Sequence, residues 1–371
     1  MVFDLSTVGT VTAALLAAAI VSLITTPVVR TLAIRIGAVD VPKDGRRMHN
    51  HPIPRMGGLA IFFGFLLSTL VFLPLTRPLR GMLMGAVIIV ILGIFDDIYA
   101  LGAKLKLVVQ ICAALIAVLM GNEITLLSNP NIFSSNPFWE LGWLAIPVSV
   151  VWIVGITNAV NLIDGLDGLA CGVSTISSMT LLVIALTVAE PSIAILTAAL
   201  AGGCLGFLPY NLNPAKIFMG DTGSTFLGFV LAAVSIQGLF KLYAIMSFAV
   251  PFLVLALPIF DTCFAILRRV SHGQSPMTPD RGHIHHRLID MGFSQKQAVA
   301  VLYVISAILG LSAVVLATNG VLKAMVFLLA LCLCGAMAAK VFFDHANETE
   351  RKNAPSGGND NFFGEEDQSE K

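Results

Sequence analysis

The chain has 371 residues, 57% of them hydrophobic and only 12% charged, with 22 Lys plus Arg balanced by 22 Asp plus Glu and a mean hydropathy of +0.88. A sequence this apolar cannot be packed as a soluble globule without a large greasy exterior, and a net charge of zero gives no reason to expect a nucleic-acid partner. What remains is an integral membrane protein in contact with the lipid bilayer.

Crossing about 30 Å of hydrocarbon takes roughly twenty helical residues, and apolar segments of about that length recur along the chain. Eleven are read in order, near 8–29, 56–75, 81–95, 105–121, 141–158, 169–188, 192–209, 224–239, 242–267, 297–318 and 321–343. The expected fold is therefore all-α and polytopic, with about eleven transmembrane helices. Residues 1–343 form one transmembrane domain, and the polar, Gly/Asn/Glu-rich stretch 344–371 forms a disordered cytoplasmic tail. The stretch "MVFDLSTVGT" lacks the basic residues that open a cleavable signal peptide, so the first helix is expected to be retained. The six cysteines lie in or beside apolar runs and read as small core residues rather than as a disulfide or metal framework.

Lys and Arg accumulate in short cytoplasmic loops. With the N-terminus outside and the C-terminus cytoplasmic, eighteen of the cations fall inside, and only Arg77, Arg80, Lys241 and Lys323 fall outside. On that topology every polar cluster able to do chemistry lies at the cytoplasmic face. "FDDIYALGAKLKLVVQ" closes the third helix and opens the fourth, and "NAVNLIDGLDG" follows the fifth. "PYNLNPAKIFMGDTGS" joins the seventh to the eighth, and "RRVSHGQSPMTPDRGHIHHRLIDMGF" the ninth to the tenth.

Carboxylates at membrane depth cost on the order of 2.5–3.5 kcal/mol each, so several on one face call for a cation or a function. Asp96, Asp97, Asp164, Asp167 and Asp221 form such a set. Hard oxygen ligands suit Mg²⁺, or alternatively Mn²⁺, and Mg²⁺ is commonly held by one or two carboxylates plus substrate phosphates. This composition points to phosphate chemistry. Asn158, Asn161, Asp164 and Asp167 step by three, so neighbours in the series would share a helix face if the helix continues, while Gly165 and Gly168 allow a break and close approach of a ligand. A polar helix end with an Asp-Gly turn is the plainer alternative. Asp96-Asp97 invites comparison with the DDxxD motif of prenyl-transferring enzymes, but Ala100 stands at the fifth position. Lys106 can meet a phosphate, whereas Lys104 reads as an anchor to the inner surface. Asp221 lies between glycines at the mouth of a helix, where N–H groups favour an anion or its metal, although a simple N-cap accounts for it equally. Arg281, His283, His285 and His286 read as donors to a diphosphate, since their spacing matches no usual zinc pattern.

Together "FDDIYALGAKLKLVVQ", "NAVNLIDGLDGLA", "IFMGDTGSTFLG" and "PDRGHIHHRLIDMGF" closely resemble the polyprenyl-phosphate N-acetylhexosamine-1-phosphate transferase family, glycosyltransferase family 4, over most of residues 10–340. The "HIHHRL" and "HPIPRMGG" stretches are similar to the branch that uses UDP-GlcNAc rather than UDP-MurNAc-pentapeptide. The resemblance implies an eleven-helix, Mg²⁺-dependent enzyme of the bacterial cytoplasmic membrane. It would transfer GlcNAc-1-phosphate from UDP-GlcNAc to undecaprenyl phosphate, release UMP and thereby start a cell-envelope glycan such as a teichoic acid or O-antigen. By the same resemblance Asp221 would be the principal metal ligand with Asn161 beside it, and Asp96 and Asp97 the catalytic pair. Lys106 would contact phosphate, Phe218 would stack on uracil, and Asn211, Asp164 and Asp167 would surround the nucleoside. Arg281, His283, His285 and His286 would hold the sugar diphosphate, and a homodimer is compatible with the family. Two other classes compete: a secondary transporter, which would place its charges near the midplane, and an aromatic prenyltransferase, which has no evident need for the HIHH loop.

Overall fold

The structure is a computed structural model that describes residues 5–42, 51–128, 138–188, 190–238, 249–274 and 282–318, together with Leu329 and Leu333. The described chain is built on helices: α1 (Leu5–Arg35), α2 (Gly58–Phe72), α3 (Arg77–Tyr99), α4 (Ala103–Leu119), α5 (Ala145–Leu162), α6 (Leu169–Thr187), α7 (Pro191–Asn211), α8 (Gly220–Gly238), α9 (Ala249–Val254), α10 (Ala256–Ser271), α11 (Ile284–Asp290) and α12 (Gln295–Ala317). Two short antiparallel pairs accompany them. β1 (Val39–Asp40) pairs with β2 (Ile53–Pro54), and β3 (Leu126–Ser128) pairs with β4 (Phe138–Glu140).

Among the described residues six helices have the length and apolar composition to cross a bilayer: α1, α3, α5 with the 3₁₀ turn before it, α6, α7 and α12. The protein is thus an all-α, multi-pass membrane protein. The expected eleventh span near 321–343 and the tail from 344 fall outside the described residues, apart from Leu329 and Leu333. The expected ninth span, near 242–267, is broken where it is described, into α9 and α10 about Leu255. Proline explains the break. Pro258 has no N–H to give to the Val254 carbonyl, and the Ser177 hydroxyl of α6 donates to that oxygen instead, at 2.9 Å. Among the cysteines, Cys171 and Cys204 are buried as expected, whereas Cys112 and Cys263 are exposed on the helix surface.

Helix α8 is the axis of the bundle. It packs against α2, α3, α5, α6 and α7, and its residues from Thr222 to Ile236 are buried. Such close packing requires missing side chains at the crossings. A Cβ on Gly93 of α3 would overlap the backbone of Thr222, and one on Gly58 of α2 would overlap Gly223. The first of these contacts brings the last turn of α3, with Asp96 and Asp97, over the start of α8.

Candidate active site

The α8 N-terminus is where the carboxylates converge. Asp97 is buried, and both its oxygens are committed: Oδ1 accepts the Asp221 N–H at 2.9 Å, and Oδ2 accepts the Thr222 N–H at 3.1 Å and the Thr222 hydroxyl at 2.7 Å. Asp97 therefore caps α8 from another helix, satisfying donors that the helix itself cannot. Its neighbour Asp96 accepts the Leu101 N–H at 2.6 Å and the Lys106 ammonium at 2.8 Å. Lys106 also donates to Asp221 Oδ2 at 3.1 Å, bridging the two carboxylates. Asn161, in the last turn of α5, donates to Asp221 Oδ1 at 3.1 Å and to Ser224 Oγ at 2.8 Å. Asp96, Asp97, Lys106, Asn161 and Asp221, widely separated in the chain, thus form one polar cluster.

Asp221 and Asn161 open onto a cavity of about 250 Å³ that is also lined by Asp40, Arg55, Asp164, Asp167, Asn211, Phe218, His286 and Gln295. Asn211 donates to Ile217 O at 3.1 Å, while its buried Oδ1 accepts nothing among the described residues. That is a ready partner for a ligand N–H. Asp164 lies half-buried in the turn between α5 and α6, and burial together with the charge of Asp221 pushes its carboxyl up to about 7. Asp167 reaches the cavity wall but also accepts from Asn213 Nδ2 at 2.9 Å and from the Ala215 N–H at 3.0 Å, so it fastens the loop that leads to Phe218. Asn158, by contrast, ties α5 to Gln110 of α4 at 2.7 Å and does not line the cavity.

The HIHH loop divides its labour. His286 lines the cavity, whereas His283 and His285 are buried behind it. His283 Nδ1 lies 2.9 Å from Asp261 Oδ2, and the Ile284 N–H donates to Asp261 Oδ1 at 2.8 Å. His285 stacks on His283 with ring centroids 5.7 Å apart and packs on Gly165, where a Cβ would meet its ring. Burial, aided by the charge of His286, holds its imidazole down at about 4, so it is neutral at pH 7. Of the expected diphosphate donors, then, His286 lines the cavity, His285 packs on the turn of Asp164 and Asp167, His283 is held by Asp261 behind it, and Arg281 lies outside the described residues.

Sequence reading passed over Arg55, Asp40, Gln295 and Asp261 as site residues. Asp261 had a signal: it is a lone carboxylate inside the apolar run "LALPIFDTCFAIL", a position that by itself demands a partner.

Among the described residues no group of three or more His, Cys, Asp or Glu side chains is arranged to hold a metal unaided. Asp221 and Asn161, which line the cavity, nevertheless carry the oxygen donors that suit a hard divalent cation completing its shell with water and substrate phosphate.

A second cavity, of about 540 Å³, opens between α5 and α10 and is lined by Val148, Val151, Trp152, Ile156, Ala159, Ile259, Cys263 and Ile266, among others. It is almost wholly apolar and runs along α5 to Ala159, two residues before Asn161.

Residues 79–239 match the family described as glycosyl transferase family 4. Over 295 residues, 79% of this chain and 81% of the relative, the sequence is 48% identical to the probable undecaprenyl-phosphate N-acetylglucosaminyl 1-phosphate transferase of Bacillus subtilis (strain 168). The chain belongs to glycosyl transferase family 4. It is 37% identical over 324 residues to the decaprenyl-phosphate N-acetylglucosaminephosphotransferase of Mycolicibacterium smegmatis, covering 78% of this chain and 77% of that one. It is 29% identical over 287 residues to the undecaprenyl-phosphate alpha-N-acetylglucosaminyl 1-phosphate transferase of Escherichia coli (strain K12), covering 76% and 77%. As a member of glycosyl transferase family 4 this protein is an enzyme, and the transporter alternative falls away. The span matched to the family carries Asp96, Asp97, Lys106, Asn161, Asp164, Asp167, Asn211, Phe218 and Asp221. Arg55, Asp261 and the three histidines lie beyond it.

Proposed function

We propose that this enzyme transfers GlcNAc-1-phosphate from UDP-GlcNAc to undecaprenyl phosphate at the cytoplasmic face of a bacterial membrane, giving undecaprenyl-diphosphate-GlcNAc and UMP. The observation that carries this reading is the single cavity lined by Phe218, by Asn211 with its unsatisfied Oδ1, and by Asn161 and Asp221, the last bonded to Lys106. It offers an aromatic ring and an acceptor for a base together with a place for a diphosphate. The apolar groove along α5 is of a kind suited to an isoprenoid chain. The relatives' names supply the sugar and the lipid.

In the reaction an oxygen of the acceptor phosphate bonds to the β-phosphorus of the donor. The bond from that phosphorus to the bridging oxygen breaks, and the bridging oxygen leaves on UMP with the electron pair. A phosphate monoester with a second pKa of about 6 is mostly dianionic at pH 7 and needs little deprotonation. Its need is charge neutralisation and alignment, as in phosphoryl transfer generally. Lys106 is placed to meet the incoming phosphate while its pairing with Asp96 fixes its reach. Asp221 and Asn161 would hold Mg²⁺, which when bound supplies screening of the diphosphate charge. Asp97 has both oxygens engaged by α8, which favours a one-step displacement over attack by this carboxylate.

Purified protein in detergent, given undecaprenyl phosphate, Mg²⁺ and UDP-GlcNAc, should release UMP, and Asp221→Ala should abolish the release. UMP from UDP-GalNAc or UDP-MurNAc-pentapeptide in preference to UDP-GlcNAc would overturn the choice of donor.

A further inference from the structure

Arg55 is fixed by its backbone. Its N–H donates to Ala38 O at 2.9 Å; Phe218 N–H donates to Pro54 O at 2.8 Å; and Gly57 and Gly58 donate to Phe218 O and Met219 O, each at 2.9 Å. The segment after β2 is thereby laced to the strand-like run that carries Phe218 into the cavity. Between them Met56 is buried with φ of 75°, a conformation that costs a non-glycine residue about 1 kcal/mol or more and persists where its surroundings over-determine it.

The guanidinium held there acts on the protein's carboxylates only at a distance. The carboxylate nearest to it is Asp97, whose Oδ1 is 3.9 Å from Nε, beyond hydrogen-bond reach. Nε makes no hydrogen bond among the described residues, and Asp97 already serves α8. Yet the side chain is 38% exposed and lines the cavity, where among the described residues it is the only Lys or Arg beside Asp40, Asp164, Asp167 and Asp221. A diphosphate entering among four carboxylates meets repulsion unless cations offset it, and a planar fork of five N–H donors suits phosphate oxygens best.

We propose that Arg55 is a donor-binding residue that takes the phosphate attached to the nucleoside. This rests on the function proposed above. Its place follows from its neighbours: Phe218 is bound to the backbone on either side of it, and Asp97, beside its guanidinium, accepts the N–H of Asp221. Arg55 thus stands between the base-stacking aromatic and the metal-binding carboxylate. As the bond from bridging oxygen to β-phosphorus breaks, the nucleoside phosphate changes from a diester-like monoanion to the dianion of UMP. Arg55 meets that added charge, and no proton or redox partner is required.

Titration calorimetry of UMP, in Mg²⁺ and detergent, on the full chain and on Arg55→Met and Arg55→Lys tests this, with thermal melting as the control for folding. The Met variant should bind UMP about 10- to 100-fold more weakly at an unchanged melting temperature, and the Lys variant should fall between. A folded Met variant with undiminished UMP affinity would overturn the inference. Should Arg55→Met melt early, the folded Lys variant decides, because full UMP affinity there would remove the role of the fork. Turnover of UDP-GlcNAc by the unaltered chain, run alongside, tests the sugar assignment separately, since Arg55-dependent UMP binding would stand even if another UDP-sugar proved to be the donor.

Discussion

Asp97 Oδ1 accepts the backbone N–H of Asp221 at 2.9 Å, so one carboxylate of the α3 pair holds the peptide that carries the carboxylate at the α8 mouth. With Thr222 N–H and Oγ1 on its other oxygen, Asp97 leaves three donors stranded if it is removed. Each buried unsatisfied donor costs on the order of 1–3 kcal/mol. Asp97→Ala should therefore lower the melting temperature and abolish UMP release together. Asp221→Asn, which leaves the cap intact, should abolish release while melting like the parent. Equal melting of both variants would show that Asp97 is not the anchor of α8.

Lys106 donates to Asp221 Oδ2 at 3.1 Å and competes there with any divalent ion. Lys106→Met should lower turnover by roughly two orders of magnitude, as expected for the loss of an electrostatic contact at a reacting phosphate. The Mg²⁺ concentration giving half-maximal rate should fall or stay level, since the competing cation is gone. A Lys106→Met enzyme that needs far more Mg²⁺ would mean that the ammonium assists metal binding rather than opposing it.

Gly165 and His285 occupy one space. A methyl on Gly165 meets the imidazole ring, and that ring is buried between His283 and the turn carrying Asp164. Gly165→Ala should displace the turn and cut kcat/KM by at least tenfold, on the scale of misplacing a group by about 1 Å. Removing the ring in Gly165→Ala/His285→Ala should recover part of the loss, a non-additivity that a double-mutant cycle reads directly. Strict additivity would separate the two residues.

These relationships show why some of the site was visible in the sequence and some was not. Six of the expected spans, now α1, α3, α5, α6, α7 and α12, were legible because hydrocarbon imposes length and apolarity on each helix locally. Asn161, Asp164 and Asp221 were legible because closely spaced polar residues at the end of an apolar run need an explanation wherever they pack. The capping by Asp97 was not, because it depends on Gly93 letting α3 approach Thr222. His283, His285 and His286 looked equivalent in one loop until Asp261, 22 residues earlier, drew His283 inward. Arg55 gains its meaning from Phe218, to which only the backbone pairing across the fold connects it.

The carboxyl of Asp164 links the site to pH. Burial, then the negative charge of Asp221, pushes it from 3.8 up to about 7; Arg55 works the other way, while Asp97 and Asp167 add to the rise. Between those two values the folded chain keeps a proton that the unfolded chain has released. Stability from this group is therefore fully present below about pH 4 and is lost as pH rises through about 7. His285 has the opposite slope: held at about 4 by burial and the charge of His286, it withholds a proton that the unfolded chain accepts below 6.5. Stability from that group falls as pH drops from 6.5 to 4. Because the two windows overlap, the profile of the parent protein alone cannot separate them, and the informative quantity is the difference between the parent and Asp164→Asn. In detergent without divalent ions or nucleotide, the melting temperature of the variant relative to the parent should climb steadily from pH 4.5 to 7.5, since the amide carries no charge to bury. A difference independent of pH would mean that Asp164 is ionised throughout, and that Arg55 screens it more than Asp221 repels it.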